Sequence, residues 1–151
     1  MNKYMRMAIT EAKKGINKGE GGPFGAVIVK DGVVVAKAHN TVLKNHDATC
    51  HGEVNAIRKA SKKLNTFDLS GCEIYTTGEP CPMCLGAILW SNISKVYYGC
   101  NILDTEDIGF RDNKFYSMTD EEKSEFIKEL DRKQCLKLYD YYKSIEDKQN
   151  Y

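Results

Sequence analysis

The chain has 151 residues, 42% apolar and 28% charged, the balance of an ordinary soluble globular protein with one domain and one sizeable core. Its 22 basic and 21 acidic residues leave a formal net charge of +1, which gives no overall field to hold a polyanion, although a local basic patch is compatible with it. No stretch has the apolar length of a membrane span, and the charged opening MNKYMRMAITEAKKG lacks the apolar run of a secretory signal, so the expected compartment is the cytoplasm.

In chain order, Met5, Ala8, Ile9, Ala12 and Ile16 recur at helical spacing and predict a helix over 3–17 with one buried stripe. NKGEGGPFG breaks it and reads as a loop. Two β-rich runs then flank Asp31-Gly32, a strong hairpin signal. A polar stretch leads to CHGEVNAIRKASKKL, where Val54, Ile57 and Ala60/Ser61 mark a helix that starts near His51. CEIYTT reads as a strand. PCPMCLGAILWS reads as a helix with Pro82 at its first position, where the missing N–H costs nothing. KVYYGC is a strand, so these three pieces form a βαβ unit. Residues 101–118 read mostly as loop. Thr119 to Glu122 offers a capping box, and Cys135, Leu138, Tyr142 and Ile145 share one face of a final helix. The sum is one α/β domain over 1–151, a mixed sheet covered on both sides by helices.

Six cysteines occur, but only Cys81 and Cys84 form a close pair. Two thiols three positions apart at a helix start suit a zinc site, a redox pair or simple burial. A third ligand decides between these readings. The chain has three histidines, and His51 opens a helix that should pack beside the 81–91 helix on the same sheet face. One imidazole and two thiolates leave the fourth zinc position open, the pattern of a catalytic site. Cys50 could be a fourth ligand, but its adjacency to His51 makes joint chelation awkward. Glu53 stands two positions after His51, off that residue's face, where it can overlook the open position. A carboxylate there can take a proton from water and return it to a substrate. By itself Glu53 would read as a first-turn glutamate favoured by the helix dipole.

His51-Gly52-Glu53 with Pro80-Cys81-Pro82-Met83-Cys84 matches the H-x-E…P-C-x-x-C signature of zinc deaminases of nucleobases. Zinc occupying both sulfurs argues against redox use. Over nearly its whole length, strongest in GGPFGAVIVKDG, HGEVNAIRKA and YTTGEPCPMCLGAILWS, the chain resembles the small bacterial guanine deaminases of the cytidine-deaminase-like superfamily. The resemblance implies a three-layer α-β-α sandwich with a five-stranded mixed sheet, and one Zn²⁺ per subunit held by His51, Cys81 and Cys84. It implies that Glu53 shuttles protons, that Asn40 hydrogen-bonds the purine, that Phe24 packs near it and that Asp112 reaches its N–H edge. It further implies a homodimer in which a tail at about 147–151 is swapped, so that Tyr151 enters the partner's active site. Arg111 stands where the family has an acidic residue, and Gly52 where guanine deaminases carry alanine.

The zinc motifs set the reaction type and leave the base open. Free guanine, giving xanthine and ammonia, is the expected substrate. Cytosine, another nucleobase or nucleoside, or adenosine in a tRNA anticodon are alternatives. The tail mixes both charge signs and shows no dense basic face, which disfavours RNA. A zinc-stabilised interaction module without catalysis is the reading from a different class. GEGGPFG lacks the Gly-Lys-Ser/Thr end of a phosphate-binding loop and reads as a tight turn near the pocket. His39 and His46 read as surface or turn residues. Glu79 is expected either near the metal or at the first turn of the helix after it.

Overall fold

A computed structural model describes residues 1–151. Helix α1 (Lys3–Asn17) starts at Asn2, whose side chain accepts hydrogen bonds from Tyr4 and Met5 N–H and so caps the first turn. Strands β1 (Gly25–Lys30) and β2 (Val33–His39) form the expected hairpin. Its two-residue turn holds Asp31 at φ 50° and Gly32 at φ 77°, the pair of positive values that the twist of a tight hairpin demands. A short helix α2 (Val42–Asn45) ends at His46 in the left-handed conformation.

Helix α3 (Gly52–Leu64) follows, then strand β3 (Cys72–Gly78), helix α4 (Pro82–Trp90) and strand β4 (Lys95–Cys100). The sheet order is β2-β1-β3-β4, with β1 antiparallel to both neighbours and β3 parallel to β4. The sheet therefore has four strands, which corrects the expectation of five. Beyond Cys100 no run of β-branched residues alternates, and local capping starts helices instead. Asn101 and Asp104 form a reciprocal capping box that opens α5 (Ile102–Asp107), and α6 (Asp112–Tyr116) follows. The segment read mostly as loop thus holds two short helices, too brief to show an apolar stripe.

Strand β1 is buried on both faces, so its residues divide between two layers. Val27 and Val29 meet Ala8 of α1 and Tyr75 of β3. Ala26 and Ile28 face the other way, in a cluster with Ile74, Ala56 and Ala60 of α3, and Ile88 of α4. Helices α3 and α4 touch each other on that side. The fully buried positions of α3 are small, Ala56 and Ala60, while Val54 and Ile57 are only half-buried. The buried stripe is therefore rotated from the one the larger side chains suggest. Small residues let the helix axis approach the sheet, and Glu53 falls on the same buried face.

The chain divides into two compact units, Met1–Tyr116 and Ser117–Tyr151. The second holds α7 (Asp120–Phe126), opened by the Thr119–Glu122 capping box, and α8 (Arg132–Ser144). No residue of the second unit is buried, including the expected stripe of α8. No helix is long and apolar enough to cross a membrane.

Candidate metal centre and base pocket

Two helix starts meet above the sheet. His51 is the residue before α3, at φ −70° and ψ 157°, and Cys81 is the residue before α4, at φ −66° and ψ 168°. Neither side chain caps its own helix, so both are free to turn towards each other. Cys84 lies in the first turn of α4, four residues before Ile88, so the face that enters the core also carries the second sulfur. His51 Nδ1 lies 3.6 Å from Cys81 Sγ and 3.6 Å from Cys84 Sγ. The three atoms lie within 4.8 Å of one another.

This donor set fits zinc. Tetrahedral zinc with Zn–S of about 2.3 Å and Zn–N of about 2.0 Å needs N···S edges of about 3.5 Å. Three protein ligands leave one position for solvent or substrate. Cys50 is buried, but its sulfur accepts from Asn45 Nδ2 at 3.4 Å and it is not part of the cluster.

The electrostatics favour a negative charge on one sulfur, that of Cys81. The Cys81 thiol is pulled down to about 4, first by the hydrogen bond from Cys84, with burial opposing and His51 assisting. Cys84 is pushed up because its S–H donates to Cys81, and burial adds to this. Two helix N-termini aimed at the cluster act in the same sense as His51. Glu53 is buried beside Cys84, and burial pushes its carboxyl up, with the charge of Cys81 adding. A carboxyl raised in this way suits a group that must both take and return a proton.

A cavity of about 750 Å³ opens on His51 and Cys81. Of the residues expected around the base, Phe24, Asn40 and Asp112 all line it. Tyr151 belongs to the second unit. Asn40 is buried, its N–H donates to Phe24 O at 2.9 Å, and its Oδ1 accepts from Val42 N–H at 3.1 Å. The amide oxygen is thus engaged, and the NH₂ end is what Asn40 can offer a ligand. Gly21 packs directly on it: a Cβ there would overlap Oδ1. Asp112 opens α6, and burial raises its carboxyl, with the Cys81 charge next in size.

Sequence reasoning missed several parts of this wall. Phe110 stands edge-on to Phe24 with ring centroids 4.8 Å apart, and both rings press on Gly22. Arg111 also lines the cavity and lies over the Phe115 ring at 5.3 Å. Tyr116 O–H donates to Pro80 O at 2.7 Å and ties α6 to the segment before Cys81. Asn55 Nδ2 donates to His39 O and Thr41 Oγ1, both at 2.9 Å, and braces the loop before His51. The aromatic spacing of GFRDNKF was the one available signal for Phe110 and Phe115. Glu79 accepts from Ile102 N–H at 3.0 Å, so it serves the start of α5.

The family pattern described as the cytidine and deoxycytidylate deaminase zinc-binding region matches residues 1–100. The guanine deaminase of Bacillus subtilis is 48% identical over 117 residues, covering 78% of this chain and 75% of that protein. The X-ray structure of guanine deaminase from Bacillus subtilis superposes with a TM-score of 0.92 at 40% identity, covering 100% of this chain and 99% of that one. The tRNA-specific adenosine deaminase of Aquifex aeolicus is 40% identical over 143 residues, 86% of this chain and 93% of that protein.

Proposed function

The chain belongs to the cytidine and deoxycytidylate deaminase zinc-binding family, and from that premise we propose that it hydrolyses free guanine to xanthine and ammonia. It is a zinc-dependent aminohydrolase of the guanine-deaminase-like group. The observation that carries the reading is the His51–Cys81–Cys84 cluster opening on a cavity that also holds Asn40 and Asp112.

His51 Nδ1 and the Cys81 and Cys84 sulfurs would hold the ion. Zinc there would supply a Lewis acid that acidifies a water molecule and holds it for attack at the ring carbon bearing the amine. Glu53 would take one proton from the attacking water and pass it to the adjacent ring nitrogen as the C–O bond forms. It would then take the remaining proton of the added hydroxyl and pass it to the amine, which leaves as ammonia as the C–N bond breaks and the carbonyl forms. Its burial keeps bulk water from competing for these protons. Asn40 offers its NH₂ group to an acceptor on the base, such as a purine ring nitrogen or carbonyl. Asp112 accepts from a ring N–H. Phe24 and Phe110 pack against the planar ring.

The assembly is a homodimer in which the tail ending at Tyr151 closes the partner's pocket. What supports this is the second unit, whose residues are all unburied although Leu138 and Tyr142 lie along α8 and Ile145 follows it. A stretch so short cannot build a core of its own. The single-domain organisation over 1–151 is then read as one catalytic domain with an exchanged tail.

A tRNA substrate is the second reading, favoured by the similarity to the Aquifex aeolicus enzyme along 93% of its length. Ammonia release from guanine, cytosine, adenine, cytidine, guanosine and an adenosine-containing anticodon stem-loop separates the two. Guanine should be turned over with the highest kcat/KM. A clear preference for any other substrate overturns the assignment.

A further inference from the structure

A polar cluster away from the metal ligands joins three segments of the first unit. His39, the last residue of β2, brings Nε2 to 2.6 Å from Glu20 Oε2 and Nδ1 to 3.5 Å from Glu11 Oε2. These side chains are 14%, 12% and 10% exposed, so water competes weakly for their bonds. Lys44 donates to Glu20 Oε1 at 3.0 Å and Lys14 to Glu11 Oε1 at 2.6 Å, which holds both carboxylates in place. Glu20 O accepts from Leu43 and Lys44 N–H at 3.0 and 3.1 Å. Helix α1 presses on the ring: a Cβ at Gly15 would come within 2.6 Å of His39 Cδ2. The imidazole is therefore clamped.

The residues that follow Glu20 and His39 are Gly21 and Asn40. Both line the base cavity, and they touch each other. The His39–Glu20 bond is thus a cross-link, one residue back from the wall, between the two segments that form it. Gly21 and Gly22 have no side chains with which to anchor their loop. Asn40 Oδ1 accepts from Val42 N–H and lies against Gly21, so the direction of its NH₂ group depends on where the loop and the end of β2 sit.

We propose that His39 is a positioning residue for base recognition, acting through its hydrogen bond to Glu20 to set the glycine loop against Asn40. The inference rests on the reading of Asn40 as a base ligand. It separates binding from chemistry: the brace touches neither the metal ligands nor Glu53.

The test is guanine affinity by calorimetry in zinc-loaded Glu53→Gln protein, which holds the base without consuming it, with steady-state kinetics in the Glu53 background. His39→Ala should raise Kd and KM about tenfold, the size of one lost charge-assisted hydrogen bond. It should leave kcat within about twofold and one zinc per chain. His39→Gln places an amide nitrogen at similar reach and should recover most of the affinity. Glu20→Ala should match His39→Ala, and the double variant should be no worse than either single one. Unchanged Kd in His39→Ala overturns the proposal, even where the melting temperature falls. So does a loss confined to kcat, or additive effects in the double variant. Where His39→Ala does not fold, the comparison of Glu20→Ala with its parent decides: a rise in Kd supports the brace, an unchanged Kd overturns it. Asn40→Ala separates the two failures. If it raises Kd and His39→Ala does not, the brace alone is wrong. If neither raises Kd, the reading of Asn40 falls with it.

Discussion

His51 and Cys81 occupy matching stations, each the last extended residue before a helix that lies on one sheet face. That repetition brings one nitrogen and two sulfurs together from positions thirty residues apart in the chain. Glu53 is placed by a different rule. It shares a helix face with Ala56 and Ala60, so it is carried into the interior with the core rather than left on the surface. A glutamate in a small-residue stripe is a signal readable from sequence once the stripe is correctly phased. Glu53→Gln should lower kcat by about 10³-fold or more while zinc content stays at one per chain. Metal analysis beside ammonia release checks this, and persistent turnover would remove Glu53 from the mechanism. It also separates the enzyme from a zinc-stabilised interaction module, for which the substitution would change nothing. Glu20 makes a prediction about acid. Its hydrogen bonds from His39, then Lys44, hold its carboxyl down at about 2 against an ordinary 4.5. The unfolded chain therefore binds the extra proton first, and the stability this bond contributes is present above pH 4.5 and lost as pH falls towards 2. Urea midpoints measured down that range should fall less steeply in Glu20→Gln than in the parent protein.

At the scale of elements, β1 and β3 carry the site. They are the central strands, and their chain ends deliver Phe24 and the Glu79-Pro80-Cys81 turn to the same region. Helix α4 is anchored by Ile88, 1% exposed, one turn after Cys84. Ile88→Ala should cost about 2–5 kcal/mol by opening a cavity under that helix. It should also weaken zinc retention, because the same turn positions the second sulfur. Chemical denaturation and a chelator competition would measure the two effects, and an unchanged zinc affinity would mean that α4 is held without Ile88. The hairpin, α1, α3 and the βαβ unit were legible because each has its own periodicity or turn signal. Helices α5 and α6 were not, since one turn or so of helix shows no stripe. The start of α5 depends on Asn101 and Asp104 bonding to each other's backbone, and α6 is tied down at its last residue by Tyr116 reaching Pro80 across the fold.

For the whole molecule, the two units differ in what they bury. The first holds all of the core, and the second holds none of it. Exposed Phe126, Leu130, Tyr139 and Tyr141 in so short a stretch fit a tail completed by a second chain. Removing Tyr151 should lower kcat/KM for guanine by about tenfold while leaving the melting temperature unchanged. Mass measurement in solution should give a dimer before and after the deletion. Unchanged kinetics would exclude Tyr151 from the pocket, and a monomer with full activity would exclude the exchanged tail.

Local chemistry by itself singled out the cluster of His51, Cys81 and Cys84 and the glutamate beside it, because donor identity and spacing at helix starts follow from a few adjacent residues. It also determined most of the elements, whose stripes and turns are short-range. Only the tertiary structure decided that the sheet stops at four strands, that Phe110 and Arg111 share the wall with Asn40, and that His39 faces two carboxylates from α1 and the loop after it. Those facts depend on which segments meet across the fold, and contacts between distant residues leave no period or motif in the chain.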